Sequence, residues 1–273
     1  MQIEALTWNL YHGRDAPPDP ALFTIRSRLL RISERNATHR QVNSDLRAAF
    51  VTVLARARWD VALLQECPPR WAESLASACD AQPHAVLTSR NSCAPLRALA
   101  ARINPDLTGS AEGGSNLTLV RGGAVVERRA LVLRPGPRPE RRAMAFTRIA
   151  LGNETTYCVA NLHASAGQAL REQAEDEVRL AAEHAVEWAA GAPLVIGGDL
   201  NLRPQDSPIY EQLERRHGLR APTAPGSLDH LLVRGCEIVR PPAAWPPERR
   251  EVRARGLAIR LSDHAPVDGA FSC

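Results

Sequence analysis

Four strand-like runs follow one another between residues 115 and 164, and this succession constrains the fold more than any other feature of the chain. Gly122-Gly123 and Gly152-Asn153 lie between neighbouring runs, where these residue types favour hairpin turns. Strands joined by hairpins pair antiparallel, whereas a doubly wound parallel sheet needs a long crossover after each strand. The segment therefore predicts an antiparallel sheet.

Hydrophobic patterns elsewhere predict further strands and a small number of helices. The predicted strands are 2–9, 60–66, 115–120, 124–133, 144–151, 155–164, 193–201, 228–233 and 264–271. The predicted helices are 41–58, 69–79 and 168–190. The predicted loops are 134–142, 240–255 and 14–40, the last with a short helix. Two sheets packed face to face, with helices outside, account for this order in a single domain spanning 1–273.

All 34 basic residues other than histidine are arginine, so chemistry that needs a lysine is excluded. A Schiff base and a Walker-type phosphate loop are examples of such chemistry. The net charge of +4 permits a polyanionic substrate without demanding one. Six scattered cysteines without CxxC pairs predict reduced thiols in a cytoplasmic protein. We find neither a signal peptide nor an apolar run long enough to span a membrane.

Hydrophobic runs in this chain end repeatedly in acidic, amide or imidazole residues. One such residue at a strand end is usually a turn former. A set of them is harder to explain as turns, because an unpaired charge at the edge of a core is costly. The six endings are Trp8-Asn9, Gln65-Glu66, Asn161-Leu162-His163, Gly198-Asp199-Leu200-Asn201, Leu228-Asp229-His230 and Ser262-Asp263-His264.

In this order the endings resemble those of the endonuclease/exonuclease/phosphatase superfamily. Its members include pancreatic deoxyribonuclease, abasic-site endonucleases, inositol polyphosphate phosphatases and neutral sphingomyelinases. The QE, GDLN and SDH motifs are the most specific parts, and the resemblance runs from Thr7 to Val267. It implies an α+β fold, a four-layer α/β/β/α sandwich with two mainly antiparallel central sheets. It also implies metal-dependent hydrolysis of a phosphate ester by activated water.

The resemblance assigns metal binding to three residues. Glu66 resembles the carboxylate that binds Mg²⁺ or Mn²⁺, with Asn9 beside it and Asp263 close to the same ion. Oxygen ligands suit a hard cation that keeps several of its waters.

The catalytic roles fall on five residues by the same resemblance. Asp199 resembles the residue that orients and deprotonates the attacking water, and Asn201, two positions further along the predicted strand, would project to the same side. His264 resembles a histidine that contacts the scissile phosphate, with Asp229 as the carboxylate that favours its imidazolium. His163 resembles the second phosphate-contacting histidine.

For substrate binding the resemblance points to three asparagines, Asn116, Asn161 and Asn201. The other six histidines are predicted to be structural or on the surface, five of them outside the motifs and His230 directly after Asp229. These are His12, His39, His84, His184, His217 and His230.

The chemistry of the endings fits this assignment independently. A phosphodiester repels hydroxide, so its hydrolysis needs a cation for the phosphoryl oxygens, a base for the water and donors for the developing charge. Two departures from the superfamily limit the substrate. The stretch between Asn9 and Glu66 is longer than usual, and Tyr11 replaces an acidic residue found in abasic-site endonucleases.

Three functions therefore stay open. The first is a nuclease or related phosphodiesterase that acts on nucleic acid. The second is a phosphatase or phosphodiesterase for a small molecule or lipid headgroup, and the third is a non-catalytic binding module. The intact catalytic set argues against the third. We expect a monomer whose partner is a phosphate-ester substrate.

Overall fold

The computed structural model describes residues 2–88, 93–134, 141–152 and 155–273. The strands are β1 (Gln2–Asn9), β2 (Val61–Cys67), β3 (Gln82–Leu87), β4 (Ser115–Val120), β5 (Ala124–Arg134), β6 (Arg142–Leu151), β7 (Thr155–His163), β8 (Leu194–Asp199), β9 (Asp229–Arg234), β10 (Glu237–Ala244), β11 (Glu251–Ala254), β12 (Leu257–Arg260) and β13 (Val267–Ser272). The α-helices are α1 (Ile25–Leu30), α2 (Arg47–Arg56), α3 (Ala72–Ala78), α4 (Ala94–Ile103), α5 (Pro105–Thr108), α6 (Arg171–Ala189) and α7 (Ile209–His217). Short 3-10 turns lie at Tyr11–Gly13, Pro20–Leu22, Pro69–Trp71, Gly109–Glu112, Gln168–Leu170 and Pro247–Arg250.

Two large sheets carry the fold. The first has the strand order β10-β13-β1-β2-β4-β3 and the second the order β5-β6-β7-β8-β9, while β11 and β12 form a separate hairpin. Pairing is antiparallel except for β1 with β2 and β7 with β8. A helix connects the strands of each parallel pair, α2 in the first and α6 in the second.

Hydrophobic clusters separate the layers. Phe50 of α2 packs on the outer face of the first sheet, and Ala181 of α6 packs on the outer face of the second. Alternate residues of the strands point the other way, so that Leu63 and Val159 meet between the sheets. The order is therefore helix, sheet, sheet, helix, as the sequence analysis predicted.

Two glycines in β8 permit close packing at the centre of this sandwich. A Cβ on Gly197 would lie 2.6 Å from a methyl group of Leu63 on the opposite sheet. Gly198 has a φ of 151°, and a Cβ there would collide with the carbonyl oxygen of Leu162 on β7. Any larger residue at position 198 would displace the strand that leads into the GDLN motif.

Several predicted elements differ from the observed ones. The stretch 240–255, predicted as a loop, lies largely in β10 and β11. β10 is the edge strand of its sheet, where proline is tolerated. The Pro241-Pro242 pair therefore led to the wrong prediction of a loop. The predicted turn at Gly152-Asn153 and the predicted loop at 134–142 include positions that lie outside the described residues.

Cys236 and Cys273 form a disulfide, which corrects the expectation that all six cysteines are reduced. Cys236 precedes β10 and Cys273 follows β13, and the antiparallel pairing of these strands brings the two Cα atoms to 4.3 Å. Cys67, Cys79 and Cys158 are free and buried. No helix among the described residues has both the length and the apolar content needed to cross a bilayer.

Candidate active site

Polar side chains from both sheets meet at one common edge. β1 and β2 run parallel, so Asn9 and Glu66 reach this edge together. β7 and β8 also run parallel, and His163 lies in register with Asp199. β9 runs antiparallel to β8, so its first residue, Asp229, lies opposite Asp199. The topology therefore gathers residues that are far apart in the sequence.

Short turns hold the site residues in place where the chain leaves the core. In three of them a side-chain oxygen accepts a hydrogen bond from the backbone N–H two residues later, as in an Asx or Ser turn. The donor–acceptor pairs are Tyr11 N with Asn9 Oδ1 at 2.9 Å, Asn201 N with Asp199 Oδ1 at 3.1 Å, and His264 N with Ser262 Oγ at 3.0 Å. The site geometry is thus encoded partly in local sequence.

Strained backbone conformations cluster at the same edge. Tyr11, His12, Glu66, Asn201 and Ser262 all have φ values between 47° and 61°, in the left-handed region. Residues without glycine's freedom keep such angles only where the surrounding structure holds them, and they concentrate at functional sites. At Glu66 the strain coincides with an irregularity in the pairing of β2 with β4.

Asp199 lies at the centre of the site and is almost fully buried. Its Oδ2 accepts a hydrogen bond of 3.0 Å from Asn9 Nδ2, which joins the two sheets. The Nε2 atoms of His163 and His264 lie 3.6 and 3.7 Å from the same oxygen. Burial raises the pKa of Asp199 to about 7, the charge of Asp229 acts in the same direction, and His264 opposes both.

His264 and Asp229 form a close pair, with 2.7 Å between Nδ1 and Oδ2. Burial by itself lowers the pKa of His264. The hydrogen bond and charge of Asp229, followed by the charges of Asp199 and Asp263, outweigh burial and raise it to about 10. The ring is therefore protonated at neutral pH and presents Nε2–H on its other side.

Two buried donors fix the loop that carries His264. Trp8 Nε1 donates to the carbonyl oxygen of His264 at 3.0 Å. Arg250 Nη1 donates to the same carbonyl at 2.6 Å and to that of Ser262 at 2.7 Å. Sequence reasoning missed Arg250, which lies in a stretch predicted as a surface loop.

Glu66 lies between two histidines. Its Oε2 is 3.2 Å from His12 Nε2, and its Oε1 is 3.8 Å from His163 Nε2. Burial, followed by the positive charges of Arg142, His264 and His12, lowers the pKa of His163 well below its usual range. The structure corrects the prediction for His12, which lies in the site and not among the structural histidines. His12 comes three residues after Asn9, and this was the only signal in the sequence.

Glu66 and the two histidines beside it border a cavity of about 320 Å³, whereas Asp199, Asp229 and His264 are not among its described lining residues. Among the residues that line it are His12, Glu66, Thr88, Arg97, Arg142 and His163. Gly114 forms part of the wall, where a Cβ would lie 3.4 Å from the Cα of Glu66. Arg97 and Arg142 face Glu66, which is the one carboxylate among the described lining residues, so the cavity favours an anionic occupant.

The predicted asparagines do not all lie in this cavity. Asn161 is fully buried between the sheets, where its Oδ1 accepts a hydrogen bond of 2.8 Å from Gln65 Nε2 and its Nδ2 donates to Leu64 O. Asn116 is also buried, and its Nδ2 donates to Ala143 O at 2.7 Å. Both asparagines are therefore fully buried and make structural hydrogen bonds, and their contact with substrate stays a prediction.

Two further predicted residues are placed differently from the expectation. β8 ends at Asp199, so Asn201 is not on a strand, and its Nδ2 donates to Ala164 O at 3.0 Å. Asp263 is exposed and acts on His264 through its charge. His230, predicted to be structural, is buried and hydrogen-bonded to backbone, and burial lowers its pKa to about 4.

The donor set of the site fits a divalent cation. Carboxylate and amide oxygens dominate it, and these are the ligands that hard cations prefer. Asp199, Asp229 and His264 offer ligand atoms that all lie within 4.8 Å of one another, but a protonated His264 has no free lone pair for a metal, which leaves the carboxylate and amide oxygens as the ligands. Oδ1 of Asp229 is buried and has no hydrogen-bond partner among the described residues.

Two facing sheets with acidic, amide and imidazole groups at a shared edge define a phosphoester hydrolase fold and site. The chain belongs to the Endonuclease/Exonuclease/phosphatase family, whose model matches residues 6–264. Members of this family are phosphoesterases, and they generally use a divalent metal.

Solved structures with the same fold cover nearly the whole chain. A mannosyl-6-phosphatase from Bacteroides thetaiotaomicron is 14% identical, with a TM-score of 0.63 and coverage of 99% of this chain and 100% of that one. The human Nocturnin catalytic domain is 14% identical, with a TM-score of 0.65 and coverage of 99% and 94%. Truncated TDP2 from Caenorhabditis elegans is 15% identical, with a TM-score of 0.58 and coverage of 100% and 98%. No curated protein matches the chain by sequence.

Proposed function

We propose that the protein hydrolyses a phosphate ester by direct attack of water, with a divalent metal ion bound at the site. The observation that best supports this proposal is the central position of the Asp199 carboxylate. It receives a hydrogen bond from Asn9 at 3.0 Å and lies within 3.7 Å of the Nε2 atoms of both His163 and His264. A base, a protonated donor and a neutral imidazole thus surround one small volume.

In this mechanism Asp199 accepts a proton from the attacking water. Asn9 Nδ2 and Asn201 N hold its two oxygens, so the carboxylate is already oriented before substrate binds. A positioned general base contributes about 10²–10⁴-fold to the rate. No covalent intermediate is needed, because the water attacks phosphorus directly.

His264 donates from Nε2 to a phosphoryl oxygen and stabilises the charge that develops there. Asp229 holds the ring through Nδ1 and keeps it protonated. His163 provides a second contact with the phosphate, and its buried position excludes bulk water from that side.

Glu66, with Asn9 and Asp263, would hold Mg²⁺ or Mn²⁺. When bound, the cation neutralises the phosphoryl oxygens and so removes the repulsion that an incoming nucleophile meets. His12, 3.2 Å from Glu66, holds the carboxylate on the cavity side.

The cavity favours a compact phosphoester over a DNA duplex. Its volume of about 320 Å³ is at the lower end of small-molecule sites. A nuclease for duplex DNA gains most of its affinity from many phosphate contacts spread along the backbone. We therefore rank a small-molecule or lipid-headgroup phosphoester above nucleic acid, which reverses the order suggested by sequence alone.

Hydrolysis of two soluble aryl esters, p-nitrophenyl phosphate and bis(p-nitrophenyl) phosphate, tests the reaction. We expect activity with Mg²⁺ or Mn²⁺, loss of activity with EDTA and recovery on adding metal back. In water labelled with ¹⁸O, the released phosphate should contain a single labelled oxygen from solvent. A parallel panel of plasmid DNA, single-stranded DNA, nucleotides, inositol phosphates and sphingomyelin ranks the substrate classes. Absence of metal-dependent hydrolysis across the whole set would refute the proposal.

A further inference from the structure

Helix α4 presents its large apolar side chains to solvent. Leu96, Leu99 and Ile103 are spaced i, i+3 and i+7, so they share one face of the helix. They are 70%, 55% and 53% exposed, whereas Ala101 on the opposite face is buried. A surface helix normally turns its larger apolar residues inward, so α4 is reversed with respect to the protein body.

Helix α1 adds a second exposed apolar face, and its end contacts Asn104 at the end of α4. Ile25, Leu29 and Leu30 are all more than half exposed. Asn104, between α4 and α5, donates from Nδ2 to the carbonyl oxygen of Arg28 near the end of α1 at 2.8 Å. This bond fixes α1 against the α4–α5 corner. We name the combined surface of these six aliphatic residues the apolar patch, and its members are Ile25, Leu29, Leu30, Leu96, Leu99 and Ile103.

Positive charge accompanies the apolar patch. α1 and α4 together contain four arginines and no acidic residue, namely Arg26, Arg28, Arg97 and Arg102. The two helices that expose aliphatic side chains therefore carry positive charge and no negative charge of their own, although Arg97 also lines the cavity beside Glu66.

We propose that the apolar patch docks the protein on an anionic lipid surface. Exposed aliphatic residues flanked by arginines match the interfacial helices that insert their apolar face among acyl chains and leave their cations at the headgroups. Each basic residue near such a surface adds to the attraction. A symmetric contact with a second copy would bring the arginines of both copies together, so charge favours lipid as the occupant.

Docking through the patch would bring the cavity close to the lipid headgroups. Arg97 belongs to α4 and lines the cavity, as does Ser110 from the turn Gly109–Glu112 that packs on α4. This step rests on the proposed hydrolase function. In the docked protein, the substrate that the cavity can reach is a phosphoester of a lipid headgroup. The docking itself does not depend on catalysis.

Co-sedimentation with vesicles tests the docking. The wild-type chain should bind vesicles that mix phosphatidylcholine with phosphatidylglycerol, and added salt should weaken this binding. Combining Ile25→Gln, Leu96→Gln and Leu99→Gln should lower the partition coefficient at least ~tenfold, because three aliphatic side chains no longer insert. The matched control is Val126→Gln with Val239→Gln, which changes residues of 55% and 54% exposure on β5 and β10. The control should bind as the wild type does.

Three results would overturn the inference. They are no binding of the wild type to the anionic vesicles, equal loss in the control variant, and a wild-type dimer that the patch substitutions dissociate in light scattering. The triple variant should hydrolyse the soluble aryl esters at the wild-type rate, which separates the two proposals. Failure to hydrolyse any soluble ester refutes the hydrolase, whereas vesicle binding alone decides the docking surface.

Discussion

The molecule contains two units in which a pair of parallel strands is joined by a connecting segment. The two units differ in the length and structure of that segment. In the first unit β1 and β2 run parallel, and the connection between them spans residues 10–60. In the second unit β7 and β8 run parallel, and the connection spans residues 164–193. Each unit delivers its polar residues at the carboxyl ends of its strands, so both contribute to one site.

The second unit has a short connection that is packed closely against its sheet. α6 packs an alanine-rich stripe against the sheet, and Glu177 on this helix is buried. Its carboxylate accepts hydrogen bonds from Ser165 N at 2.7 Å and Ser165 Oγ at 2.8 Å, just beyond His163. The first unit instead inserts α1 and a long irregular segment before its helix. In the proposed mechanism, the second unit holds the catalytic base, while the first carries the proposed metal ligands Asn9 and Glu66 and the segments around the site.

The largest effect should come from the base of the second unit. Asp199→Asn should lower kcat by at least ~10² with the fold intact, because the amide cannot accept the proton of the water. Steady-state kinetics with a soluble aryl ester and a thermal melt measure both parts. The control Asp176→Asn, on the exposed face of α6, should leave kcat unchanged. Equal activity of the Asp199 variant would remove the base assignment.

Glu66→Gln should act through the metal, since Glu66 belongs to the first unit. We expect at least ~tenfold weaker binding of Mn²⁺ by calorimetry, with activity partly restored by added metal. Asp199→Asn should show no such rescue. Glu73→Gln, an exposed change on α3, is the matched control. Unaltered metal affinity in the Glu66 variant would show that Glu66 does not hold the metal.

The substitution Glu177→Ala tests whether the carboxylate of Glu177 stabilises the connection after β7. The change leaves Ser165 without its buried acceptor and should lower the free energy of unfolding by about 2 kcal/mol. Urea denaturation of this variant and of Glu183→Ala, an exposed position on the same helix, measures the difference. A cost equal to that of the control would show that the connection after β7 is not held by this carboxylate.

A smaller effect, visible as a pH dependence, is expected in the first unit. Burial raises the pKa of Asp15 from 3.8 to about 8, although its Oδ2 accepts a hydrogen bond from Val42 N at 3.0 Å. The unfolded chain releases this proton at lower pH, so the stability contributed by protonated Asp15 is present below about pH 4 and is lost as pH rises through about 8.

Wild type should therefore lose at least ~1 kcal/mol relative to Asp15→Asn as the pH rises through this window. Urea denaturation at several pH values provides the curve, and Asp176→Asn, an exposed change on α6, is the control. If the unfolding free energies of the wild type and the Asp15 variant change with pH in the same way, ionisation of Asp15 does not cause the pH dependence.

Local patterns in the sequence predicted much of the fold and the outline of the site. The bounds of β4 were predicted to the residue, because its apolar run is flanked by glycines. The ordered strand endings brought Asn9, Glu66, Asp199 and His264 to one edge, as the structure shows. These features depend on strand patterns and on turns of two or three residues.

The rest depends on long-range packing. His12 acquires its place only because the fold brings it 3.2 Å from Glu66, 54 positions later. Arg250 holds the His264 loop from a segment whose prolines hid two edge strands. The Cys236–Cys273 disulfide likewise follows from the pairing of β10 with β13, which spacing alone does not reveal.

The hydrogen bond from Asn9 to Asp199 has a mechanical consequence. It crosses from one sheet to the other, so the spacing of the two layers and the basicity of the carboxylate are linked. Loosening the packing between the layers would lengthen this bond and shift the proton affinity of the base. Substitutions of Leu63 or Val159, which are buried between the two sheets, should then change the reaction rate through this spacing.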